Sequence, residues 1–161
     1  MRYFSSVMIA IITNLLFLPF WYFEDLVILP GIQLLVNTIL LPVTLVALNV
    51  YWFVKRKIDY FPMLYLVVPL ACLASGLSMY FIWGIVTGHF FSPDEETIIV
   101  VTVMLIISVG VSLILLSMAH AMFKISESHM ILWRKVLAWV GVIISTGIVA
   151  SIFGVIVYTV F

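Results

Sequence analysis

The sequence predicts an all-α integral membrane protein: a compact bundle of five transmembrane helices, N-terminus cytoplasmic and C-terminus outside. Three observations carry this. The 161 residues are 66% hydrophobic and only 9% charged, too little polar surface for a soluble domain of that length. The charges are confined to short breaks between apolar runs. The sign of those breaks alternates along the chain.

The breaks are Arg2, then Glu24 and Asp25, then Lys55–Lys57 with Asp59, then Asp94–Glu96, then the stretch from Lys124 through Glu127 to Arg134 and Lys135. Between them lie charge-free runs: Tyr3–Phe23, Leu26–Val54, Tyr60–Pro93, Thr97–Phe123 and Val136–Phe161. Each is long enough to cross a hydrocarbon core, which takes about 20 helical residues. Basic residues resist translocation, so loops rich in Lys and Arg stay cytoplasmic. With Arg2 inside, all 7 basic residues fall on one side, and Glu24, Asp25, Asp94, Glu95 and Glu96 fall on the other. The expected location is a plasma membrane, of bacterial type. Trp21, Tyr51, Trp52, Tyr60 and Trp133 sit at the expected interfaces, where amphipathic rings settle at headgroup depth.

Each span is justified in turn. The first (3–23) ends in Pro19-Phe20-Trp21, where a signal peptide would need small residues, so it is expected to be a retained helix. The second (31–54) starts after Pro30-Gly31, which reads as a turn. Pro42 inside it cannot donate to the carbonyl of Thr38, which predicts a kink. The third run is too long for one crossing. Its central part (63–88) forms the span, and Tyr60–Pro62 and His89–Pro93 are expected to lie flat at the two interfaces. The fourth (97–123) is small on two sides, which places it in the middle of the bundle. The fifth (136–161) completes a single transmembrane domain over 1–161.

Several function classes are disfavoured. The spans hold no Asp, Glu, Lys or Arg at depth, against a proton-coupled carrier and against an intramembrane aspartyl protease, which needs paired acids. A single cysteine, Cys72, forbids an internal disulfide or a thiolate metal cluster. No nucleotide-binding loop is present, and a net charge of zero leaves no nucleic-acid footprint. Ser108, Ser112 and Ser117 share a helix with His120, but one helix does not assemble a nucleophile, a base and an oxyanion site. His89 beside Asp94–Glu96 lacks the spacing of a zinc motif. His120 and His129 are expected to hydrogen-bond at the inner interface. No catalytic, cofactor or metal residues are assigned.

Two sets of candidate residues remain. Asn14, Gln33, Asn37 and Thr44 are neutral and polar at bilayer depth. The last three are spaced four and seven apart and so are expected to share one face, with Asn49 on another. They form either a notch for a neutral solute or hydrogen-bonding glue between helices. Gly84, Gly88, Gly147, Ser151 and Gly154 are small residues at helical spacing, suited to close approach by another helix of this chain or of a partner. The function expected first is a non-enzymatic accessory, assembly or immunity-type membrane subunit, with a membrane-protein partner or a second copy as its contact besides the bilayer. The alternative is a small oligomeric channel or carrier for a neutral or apolar solute. A third is a lipid-modifying enzyme acting at the outer face through Glu24, Asp25, His89 and Asp94–Glu96.

Overall fold

A computed structural model describes residues 2–16, 29–55, 60–87 and 95–160. The described residues are helical, with no strand among them. The elements are α1 (Arg2–Leu15), α2 (Leu29–Leu35), a π-helical turn (Val36–Leu40), α3 (Leu41–Val54), a 3₁₀ turn (Phe61–Met63), α4 (Leu64–Thr87), α5 (Glu95–Glu127) and α6 (Leu132–Val160). Among the described residues, four segments are long and apolar enough to cross a membrane: Ile32–Val54, Phe61–Ile82, Ile98–Glu127 and Leu132–Thr159. A shorter apolar helix covers Phe4–Leu15, and the remainder of the expected first span, from 17 to 23, lies outside the described residues.

Several boundaries differ from those the sequence predicts. Helix α2 already includes Pro30 and Gly31, because proline is tolerated in a first helical turn, where its missing N–H would be unpaired anyway. Of the segment Tyr60–Pro62, Phe61 and Pro62 belong to the 3₁₀ turn Phe61–Met63. This turn runs directly into α4, with Tyr60 extended before it. Helices α5 and α6 begin earlier than the charge-free runs and carry charged residues in their end turns.

Proline acts differently at its two interior positions. Pro69 is accommodated within α4. Before Pro42, the helix widens. The Leu41 N–H bonds back five residues to the Val36 carbonyl, and the widened turn covers Val36–Leu40. A π turn amounts to one residue inserted into an α-helix, so the residues C-terminal to it are rotated by about 100° from their α-helical phase. Gln33, Asn37, Leu41, Leu45 and Asn49 then form one buried stripe at four-residue spacing. Thr44 turns outward and is exposed.

Helix α1 lies mainly on α4. Helix α5 touches α3, the π turn, α4 and α6, and so holds the middle of the bundle. Its contact with α4 is close: a Cβ added at Gly76 would stand 2.1 Å from Leu105 Cδ2. Helix α6 packs mainly on α5, through Phe153, whose ring covers Gly110 so closely that a Cβ there would meet Cζ at 2.2 Å.

The start of α1, the end of α3, the start of α4, the end of α5 and the start of α6 gather at one end of the bundle. A hydrogen bond between Ser6 and Asn49 fixes α1 there, and the short links after α3 and α5 keep the chain at the same end. Lys55, Lys124, Arg134 and Lys135 are all at this end. Beneath them lies an aromatic cluster. Phe53 meets Phe61 and Phe123 edge-on with centroids 5.0 and 4.9 Å apart, and Phe61 covers the His120 ring at 4.6 Å. The Tyr65 hydroxyl and His120 Nδ1 are 3.4 Å apart.

Candidate functional site: a buried carboxamide cluster

Three of the four residues singled out as a polar notch converge. Asn14 from α1, Gln33 from α2 and Asn37 from the π turn meet Ser75 and Ser78 of α4. The three amides and Ser75 are each no more than 1% exposed. Asn14 is the hub. Its Oδ1 accepts from Asn37 Nδ2 at 2.9 Å and from Gln33 Nε2 at 3.2 Å. Its Nδ2 faces Ser75 Oγ at 2.9 Å, the Ser75 carbonyl and Ser78 Oγ at 3.0 Å, and Asn37 Oδ1 at 3.1 Å. Ser75 Oγ also donates to Asn37 Oδ1.

Side chains of this segment also bond along their own helix. An α-helix bonds each carbonyl to the N–H four residues on. Here the Asn37 amide donates to the Gln33 carbonyl and the Thr38 hydroxyl to the Leu34 carbonyl, both at 2.8 Å. The same bond to the carbonyl four residues back recurs at Thr13, Asn49 and Thr102, within regular helix. The fourth expected residue, Thr44, is absent from the cluster. Its hydroxyl bonds to the Leu40 carbonyl of its own helix at 2.8 Å and lies exposed. The inserted π residue is the reason: in an unbroken α-helix Thr44 would lie beneath Gln33.

The same rotation brings in a residue that spacing alone placed elsewhere. Asn49 is fully buried and exchanges hydrogen bonds with Ser6, its Nδ2 donating at 2.9 Å and its Oδ1 accepting at 3.2 Å. Pro42 was the signal in the sequence that the phase would break. A third polar contact lies between α4 and α5, where the Cys72 thiol sits beside Ser108 and Ser112. Ser112 returns its proton to the Val109 carbonyl at 2.8 Å. Ser108 Oγ is buried with no conventional partner, next to the weakly bonding sulfur.

Chemically, the cluster is a set of neutral amides and hydroxyls that satisfy one another. It contains no acid, base or thiolate, and no group of three or more His, Cys, Asp or Glu capable of holding a metal ion occurs among the described residues.

The small-residue candidates are placed differently. Gly147, Ser151 and Gly154 lie on α6 and are exposed. A Cβ added at Gly147 or Gly154 would meet nothing within 4 Å. The Ser151 hydroxyl donates to the Gly147 carbonyl of its own helix at 2.9 Å. Gly84 is half-buried on α4, and Gly88 lies outside the described residues, as do Glu24, Asp25, His89 and Asp94.

No protein-family model, no curated protein and no solved structure matches the chain.

Proposed function

We propose that this chain is a non-enzymatic membrane subunit, of accessory, assembly or immunity type, that works through helix–helix contacts with another membrane protein. The observation that carries this reading is the contrast between its polar groups and its outer helix. The deep amides bond to one another and are almost fully buried. At Gly147 and Gly154 of α6, by contrast, an added Cβ would meet nothing within 4 Å among the described residues. Glycine inside a helix is about 1 kcal/mol worse than alanine, and in lipid its compensation is close approach by another backbone.

In this reading the chain crosses the plasma membrane of a bacterium five times, with the basic end of the bundle in the cytoplasm. A reporter active only in the cytoplasm, fused after Phe161, is expected to be silent; strong activity would overturn that orientation.

The subunit reading is tested by purifying the protein from its native membrane in mild detergent, with and without the pair Gly147→Leu and Gly154→Leu. The expected result is an unchanged melting temperature and loss of a co-purifying membrane protein. If the double variant keeps every companion of the wild type, or the wild type has none, the reading fails.

A further inference from the structure

The seam between α5 and α6 leads from a crevice to a basic turn. One side of the seam leaves a cavity of about 200 Å³ lined by Met118 and Ala121 of α5 and by Val142, Ser145, Thr146 and Val149 of α6. It runs over about two helical turns, roughly 10 Å. It is smaller than the pockets that enclose drug-sized ligands, and it is mostly apolar and opens onto the surface that lipid would cover.

One helical turn beyond Ala121 stands Lys124, in the last turn of α5. Across the link are Arg134 and Lys135. Lys124 and Arg134 are exposed, and Arg134 is held over the Trp133 ring at 5.5 Å. Lys135 Nζ donates to the Ser126 carbonyl at 2.8 Å, tying the start of α6 to the end of α5. Glu127 is the one acid between these three cations in sequence. Met130, Ile131, Leu132 and Trp133 are all at least half exposed, the profile of a turn dipped into a headgroup layer.

From this juxtaposition we infer that the α5–α6 seam is a binding site for an anionic phospholipid of the leaflet that bears the turn. The headgroup phosphate lies against Lys124, Arg134 and Lys135, and part of one acyl chain lies in the crevice between Ala121 and Val149. Charge complementarity selects the occupant. A phosphate diester needs donors at headgroup depth, and arginine offers it a fork of N–H groups. Basic pockets between transmembrane helices suit anionic headgroups for that reason. A zwitterionic lipid would fill the crevice equally well but would bring its own cation to a turn already rich in them. The inference stands independently of the subunit reading, since it concerns the inner side of the α5–α6 pair and needs no protein partner.

The test measures lipid retained by the purified full chain, by native mass spectrometry, after exchange against phosphatidylglycerol or phosphatidylcholine of identical acyl chains. The site predicts at least tenfold preference for phosphatidylglycerol. The pair Lys124→Gln and Arg134→Gln, both at exposed positions, should bring phosphatidylglycerol down to the phosphatidylcholine level. Ala121→Phe should reduce phosphatidylglycerol retention with all charges in place; if its melting temperature falls, the exposed change Ser145→Leu replaces it. Soluble glycerol phosphate should not compete. Equal retention of the two lipids, no effect of the charge pair, no effect of filling the crevice, or full competition by glycerol phosphate would each overturn the site as described.

Discussion

Helices α1 and α6 are both peripheral and both apolar, yet they are attached by opposite means. Helix α1 carries two polar latches eight residues apart. Ser6 pairs with Asn49, and Asn14 joins Gln33, Asn37, Ser75 and Ser78. Helix α6 has no buried residue among those described along its span; it packs on α5 with the Phe153 ring over Gly110 and is tied to it by Lys135. In lipid, apolar burial alone gives no preference for one helix partner over another, since acyl chains are as apolar as leucine. Hydrogen bonds between helices are directional and therefore fix register. The difference shows which attachment specifies the fold and which leaves a helix face available.

The comparison breaks first at its hub. Asn14→Leu removes an acceptor for two amides and a donor for Ser75 and Ser78, leaving several buried groups unpaired. A loss of about 3 kcal/mol is expected, the upper end for a buried polar partner, read as a fall in melting temperature in detergent. A loss under about 1 kcal/mol would mean that the cluster does not hold α1. Next comes the α4–α5 contact. Gly76→Val drives a side chain into Leu105 and should cost about 2 kcal/mol by overpacking, in the same assay. At α6, Gly110→Val should displace Phe153 and destabilise the bundle by roughly 1 kcal/mol. In a Cys72→Ala background it should also abolish crosslinking by a short bifunctional thiol reagent between cysteines placed at Val111 and Ala150, which line a common crevice. Retained crosslinking would show that α6 is held by something other than that contact. The smallest effect is at Thr44. Thr44→Val removes only a bond within its own helix, so a change under about 0.5 kcal/mol is expected. A loss as large as that of an Asn37 variant would contradict the phase shift through the π turn.

The helical architecture was legible because charge and hydropathy mark it residue by residue. The convergence of Asn14, Gln33 and Asn37 was legible in part: the spacing of the last two held within the first turns of their helix. The placement of Thr44 and Asn49 was not. A periodicity argument assumes a constant angle per residue, and Pro42 breaks that assumption one turn before its own position. The sequence signals a kink but does not state whether the helix bends, tightens or widens. Here the helix widens over Val36–Leu40. The exposure of α6 was illegible for another reason. A helix facing lipid and a helix buried in a bundle share one apolar composition.

The central claim is that the carboxamide cluster is a sealed joint and not a path through the membrane. The most direct test places a thiol in it. In a Cys72→Ala background, Ser75→Cys substitutes a side chain of similar size at a position 1% exposed. The variant in intact vesicles is then challenged from each side with a membrane-impermeant maleimide. A sealed joint predicts no labelling from either side until the protein is unfolded. Labelling of Ser75→Cys in the folded protein would contradict the claim and turn the cluster into the lining of a solute pathway.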